Sequence, residues 1–263
     1  MTLPPELVHE VICNLASDVQ SLRSCSLVAK SWAHPSRKWL FKDVIIFRRT
    51  HQRWLDRISP GDVELLRNVR SLTYTSGRKV WDGITPYRVD SLHRYLPSLC
   101  RLESLGLSSM SIGPDVHQQI GFFSTLRHTL SSLRLSDCSV TSSTLITLIN
   151  YFPLLANLDL QSLIFASNDE PTPPLSRPLR GRLVITECRS NDRALYEKLS
   201  DPPPELDELA LCRVDMPTFY DAILGDRGGS VKRLKMISDI SWRKRTSWNQ
   251  QIFPALTRRI NQQ

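Results

Sequence analysis

His9 and Glu10 open an H-E-x-x-H pattern, the arrangement that sets two imidazoles one helical turn apart on zinc with the glutamate as base. Cys13 stands where the second histidine belongs, so no zinc pair forms, and His9 reads as an exposed helix residue. The histidines at 34, 51, 93, 117 and 128 are scattered, and none joins a cysteine or carboxylate in a triad-like order. The six cysteines lie at 13, 25, 100, 138, 188 and 212, with no C-x-x-C among them, which argues against a zinc knuckle or redox dithiol. Cys25, Cys138 and Cys188 sit in apolar patterns, where a small buried thiol is the ordinary explanation. Group-transfer chemistry on cysteine needs instead an exposed, activated thiolate. No phosphate-cradling G-x-x-x-x-G-K-[ST] or G-x-G-x-x-G occurs, and no G-x-S-x-G nucleophile elbow. The expectation is therefore a protein without enzymatic activity, cofactor or metal.

What remains is binding chemistry. The 263 residues carry a net charge of +8, with 41% hydrophobic and 23% charged residues, values of an ordinary globular chain of one or two domains. Residues 1–226 are electrically balanced, so the whole excess lies in 227–263, which hold nine Lys and Arg against the single acid Asp239. Lys232-Arg233, Lys235, Arg243-Lys244-Arg245 and Arg258-Arg259 are interleaved there with Trp242 and Trp248, a footprint that suits nucleic acid or an acidic partner. The competing reading is a polar cap on the end of the fold. The N-terminus lacks a basic and then apolar leader, and no apolar run approaches the ~20 residues of a membrane span. Reduced thiols in the cytosol or nucleus, with no membrane association, are the expectation.

The elements that would carry this binding begin at once. Pro4 and Pro5 precede Glu6, a sequence suited to a first helical turn. Leu7, Val8, Val11, Ile12 and Leu15 then give an unusually wide apolar helix face. Ser17 or Asp18 can cap a second helix with Leu22, Cys25 and Ser26. A third segment from Leu27 places Val28 and Trp32 one turn apart, and Pro35 is expected to interrupt it. Three such helices carry more apolar residues than their own core could hide, which implies either an external partner or packing on the rest of the chain.

The string Leu3-Pro4-x-Glu6, Ile12, Leu15, Leu22, Cys25, Val28, Trp32 and Leu40-Phe41 resembles an F-box. The family uses this module to dock on Skp1, the adaptor leading to a cullin–RING ubiquitin ligase, and itself performs no catalysis. The resemblance implies that Leu3, Pro4, Glu6, Ile12, Leu15, Leu22, Val28 and Trp32 supply the Skp1-facing and core positions, without deciding which face outward.

Beyond Trp54 a second pattern takes over. L-x-x-L-x-L appears at Leu102, Leu105 and Leu107, at Leu130, Leu133 and Leu135, and at Leu155, Leu158 and Leu160. Degraded copies follow around Leu183, Leu209 and Leu234, and Val69-x-x-Leu72 reads as a first copy. The middle leucines 105, 133, 158, 183, 209 and 234 are spaced by 28, 25, 25, 26 and 25, the mark of a repeat solenoid. The copies resemble the leucine-rich repeats found in F-box proteins, which implies concave strands and convex helices. A compact α/β domain with coincidental L-x-L pairs is the alternative. Helices are expected over 115–130, 142–151, 192–199 and 218–224. Proline-rich insertions at 167–178 and 201–205 read as stiff surface loops.

The fold class is thus α/β: a three-helix F-box (1–47), a linker helix leading into the first repeat (48–68), an irregular solenoid (69–240) and a basic cap or tail (241–263). Alternation along the strands assigns the outward positions. They are small and polar at first, at Ser104, Gly106, Ser108, Ser132 and Ser136, and become larger polar or charged residues at Arg134, Asn157, Asp159, Gln161, Arg182, Glu208, Arg233 and Lys235, cationic at the end. No large aromatic anchor falls in this set. The resemblance implies a substrate-recognition adaptor that binds Skp1 through the helices and an unidentified target through the repeats. The alternative is a nucleic-acid or acidic-partner binder working through the basic end.

Overall fold

The computed structural model describes residues 3–47, 66–76, 99–113, 120–166, 171–187, 193–212 and 230–237. Three helices come first: α1 (Pro5–Asn14), α2 (Val19–Val28) and α3 (Lys30–Leu40). Pro5 occupies the first turn of α1, where its missing N–H is not needed, and Glu6 places a negative charge at the positive end of the helix. Asp18 caps α2, its carboxylate accepting from the backbone N–H groups of Gln20 and Ser21, each at 3.1 Å. The Ser21 hydroxyl adds a third bond at 2.6 Å, and its hydrogen bond holds the Asp18 carboxyl below its usual range.

Two expectations for this region are corrected. Ala29 is extended (φ −157°, ψ 159°) and separates α2 from α3, so Val28 and Trp32 belong to different helices instead of to one turn. Pro35 does not end α3, which continues to Leu40. The proline removes the N–H that would reach the Ser31 carbonyl, and Ser31 is exposed, so the carbonyl left unpaired is open to solvent.

The remainder is a solenoid of stacked coils. Its main sheet runs β1 (Asp43–Phe47), β2 (Ser71–Thr75), β3 (Ser104–Ser108), β5 (Ser132–Ser136), β7 (Asn157–Gln161), β9 (Arg180–Thr186) and β10 (Glu205–Cys212). β11 (Ser230–Val231) and β12 (Leu234–Ile237) both pair with β10, and every pairing is parallel. A second small parallel sheet joins β4 (Ser111–Ile112), β6 (Ser139–Val140) and β8 (Ile164–Phe165). The register follows the leucine period step by step: Leu72, Leu105, Leu133, Leu158, Leu183, Leu209 and Leu234 are successive partners. The L-x-L leucines point to one side of the sheet and are buried there with residues of α4 (Ser142–Tyr151) and α5 (Arg193–Leu199). The opposite side is the open face.

Each coil turns the corner the same way. Ser109, Asp137, Ser162 and Glu187, the residues just after their strands, adopt φ of 58°, 51°, 49° and 53°. This left-handed conformation is costly for residues with a Cβ. It lets each N–H reach the strand-end carbonyl of the next coil, as from Ser162 to Thr186 at 2.7 Å and from Asp137 to Gln161 at 2.9 Å. Cys138 lies wholly buried, donates to the Leu107 and Ser136 carbonyls at 3.4 and 3.3 Å, and has its thiol pushed up to about 12 by burial.

Two further expectations change. Residues 43–47, assigned to the helical unit, form β1 and pair with β2, so the sheet starts before the expected boundary. The helix expected over 115–130 is a 3-10 helix at Ile120–Leu126 among the described residues, because Phe123, Leu126 and Leu130 are drawn into the core at short spacing. Where it is described, the proline-rich insertion is the expected surface loop, and it is tied to α4. Asn150 at the end of α4 donates to the Pro174 carbonyl at 2.9 Å and accepts from Ser176 N at 2.8 Å, and Arg177 donates to the Phe152 and Pro153 carbonyls. Those contacts fix it to the helix side as a connector. Residues 218–224 and 241–263 lie outside the described residues.

Candidate functional site

Two surfaces remain, one on each part of the molecule. On the helices, the wide apolar face of α1 resolves into two stripes. Val8 and Ile12 turn inward and pack with Leu22, and the half-buried Leu15, Cys25, Trp32, Trp39 and Leu40 close around them. Leu3, Leu7 and Val11, one turn apart along the neighbouring stripe, face solvent. Leu27 and Val28 are 87% and 70% exposed at the end of α2, and Val19 is exposed at its start.

The eight residues expected at an adaptor interface are sorted accordingly. Leu3, Pro4, Glu6 and Val28 are exposed, and Leu15 and Trp32 are half-buried. Ile12 and Leu22 are 0% and 1% exposed, so a partner cannot touch them without opening the helices, and they are corrected to core residues. Leu7, Val11 and Leu27 were not singled out for the surface. Their exposure depends on which stripe of α1 the other helices cover, which helical periodicity alone leaves open. His9 Nε2 and Cys13 Sγ lie 3.5 Å apart on α1, and no cluster of three metal-capable side chains exists among the described residues.

On the open face, the charged positions sit in the expected strands but act in pairs. Arg134 Nε meets Asp159 Oδ2 at 2.9 Å, and Gln161 Nε2 donates to the same oxygen at 3.3 Å. Asp159 Oδ1 is buried without a partner. Asn157, two residues before Asp159 on the same face of β7, is exposed. Glu208, with a side chain 13% exposed, gathers three cations. Arg182 Nε and Lys235 Nζ each lie 3.1 Å from Oε1, and Arg233 Nη1 lies 3.5 Å from Oε2. The hydrogen bond from Lys235, followed by that from Arg182, holds the Glu208 carboxyl below its usual range. Lys232 pairs with Asp207 at 2.8 Å, a hydrogen bond that raises the ammonium above its ordinary value. Arg134 and Asp159 lie one repeat length apart, as do Arg182 and Glu208, and the strand register places both couples side by side.

The face also holds what the sequence reading excluded. On β1, Val44 and Ile46 point into the core, while Ile45 and Phe47 are 62% and 52% exposed at the sheet edge. Phe47 is thus an exposed aromatic on the open face. It escaped notice because Val44-Ile45-Ile46-Phe47 is a continuous apolar run that shows no alternation. Near the other end, an open cleft of about 500 Å³ lies over Ala156 and Gly181, beside Arg182, Glu208 and Arg233. Gly181 has φ +74°, and a Cβ there would fall 2.2 Å from the Ala156 carbonyl oxygen, so only glycine fits this floor.

No protein-family model matches this chain, and no curated protein matches it either.

Proposed function

We propose that this protein is a substrate-recognition adaptor of an SCF-type ubiquitin ligase. Its three N-terminal helices act as an F-box that docks on a Skp1-like adaptor, and its coils form a leucine-rich-repeat solenoid that holds a target protein. The observation that carries the reading is the apolar surface of the helical unit. Leu3 just before α1, Leu7 and Val11 on α1, and Val19, Leu27 and Val28 on α2 are all exposed, in a helical unit whose fully buried apolar core is Val8, Ile12 and Leu22. An exposed apolar area of this kind marks a protein-binding site. The opening Leu3-Pro4-x-Glu6 and the order of the motif that follows support an F-box over other helical docking modules.

The mechanism is proximity. The helices tie the chain to the ligase, the open face holds the target, and the target's effective concentration near the ubiquitin-charged enzyme rises without chemistry on this chain. Capture by purified Skp1 is the test. The intact chain is expected to be retained, and Leu3→Ala with Pro4→Ala is expected to weaken retention while the far-UV circular dichroism stays unchanged. A chain that Skp1 does not retain, or a double variant that binds as well as the parent, contradicts the proposal.

A further inference from the structure

We infer that the open face around β9, β10 and β12 is a docking site for an extended acidic peptide segment, read by Arg182, Arg233 and Lys235. The inference deepens the reading of the open face as the target-binding surface and rests on it.

Charge is the first ground. Three cations converge on the single carboxylate of Glu208 at 3.1, 3.1 and 3.5 Å, so the group keeps a positive excess after its internal pairing. The exposures run in the matching sense. The side chains of Arg182, Arg233 and Lys235 are 52%, 69% and 53% exposed, whereas Glu208 is 13% exposed. The carboxylate therefore sits at the base and the cations reach past it into solvent. Their hydrogen bonds to Glu208 align three long side chains in advance, which lowers the entropy lost when a ligand arrives. Arg134 differs, because Asp159 neutralises it one to one.

Geometry is the second ground. Arg182 and Arg233 flank β10 on either side. Two strand spacings separate them, about 9.5 Å, which an extended chain covers in about three residues. An extended peptide points every second side chain the same way, so carboxylates at i and i+2, about 7 Å apart, would meet both guanidinium groups at the ends of their long side chains, each able to bind two oxygens. The cleft over Gly181 and Ala156 gives the peptide backbone room beside them. A nucleic acid suits the site less well. The strands β9 and β10 carry no aromatic side chain on which a base could stack.

The test is fluorescence anisotropy of a fluorescein-labelled, glutamate-rich peptide of about twelve residues, with its glutamine counterpart, on the full chain. The glutamate peptide is expected to bind and the glutamine peptide not, with affinity falling as salt rises. Arg182→Ala with Arg233→Ala is expected to weaken binding by about tenfold or more, a loss that Arg127→Ala on the helix side does not reproduce. Glu208→Gln keeps an amide oxygen that still accepts from the cations and aligns them while removing the competing charge, so it is expected to tighten binding, and a folding defect cannot produce that gain. Equal binding of the two peptides, an unweakened double variant or a weakened Glu208→Gln overturns the inference. Oligothymidylate that binds and is not displaced by the glutamate peptide overturns it in favour of nucleic acid. Skp1 capture on the same proteins separates the two readings: capture lost with peptide binding intact sinks the ligase assignment alone, and the reverse sinks this site alone.

Discussion

The helical unit and the solenoid treat their apolar residues in opposite ways. In the solenoid each inward leucine has a counterpart one coil away. Leu105, Leu133, Leu158, Leu183 and Leu209 are each no more than 4% exposed. Of the exposed large hydrophobic residues among the described positions, the solenoid contributes Ile45, Phe47 and Leu154, and the helices contribute the other six. The difference lies in translation. A repeat supplies its own partner surface at every step, so burial continues for as long as coils are added. Three short helices have no next copy, and covering the Val8 and Ile12 stripe of α1 leaves the Leu3, Leu7 and Val11 stripe facing water. Exposed hydrophobics are thus concentrated on the helical unit and sparse on the solenoid.

The largest test of this contrast removes one core residue from each part. Leu133→Ala and Ile12→Ala should each cost about 2–5 kcal/mol. The separate burial clusters predict separate consequences. Ile12→Ala should disturb the environment of Trp32 and Trp39, read by tryptophan fluorescence, and leave most far-UV melting intact. Leu133→Ala should lower the far-UV transition. Two variants that shift both signals together would show the two cores to be one cooperative unit. Gly181→Ala comes next, with an expected loss above about 1 kcal/mol, since a Cβ at φ +74° would strike the Ala156 carbonyl. Thermal melting reads it, and an unchanged melting temperature would mean that β7 and β9 are not held as closely as described.

Acid should weaken both parts through one carboxylate in each. Asp18 caps α2 and Glu208 anchors the cation group, and hydrogen bonds hold both below the ordinary carboxylate range. A lowered folded value means that their stabilisation is complete above the ordinary carboxylate range and is lost as pH falls through the lowered values. Carboxyl carbon NMR titration should give midpoints below those of the unfolded chain. The smallest effect is expected from Leu27→Ser with Val28→Ser. These exposed positions should change stability by less than about 0.5 kcal/mol each while Skp1 capture falls. A clear drop in melting temperature would show that this surface is already used within the chain.

Much of this was readable without coordinates. The spacing of the middle leucines states the strand register, because a constant repeat length is a constant translation and the parallel pairing must follow it. The Asp18 cap and the helix over Ser142–Tyr151 are local patterns within a turn or two of chain. Three features stayed hidden because their cause lies elsewhere in the chain. Which stripe of α1 turns inward depends on α2 and α3. The continuous apolar run of β1 declares its faces only when β2 pairs with it. The carboxylate that each open-face cation meets lies a full repeat away. Short-range propensity and spacing are written along the chain, and contacts between faces depend on residues that only folding brings together.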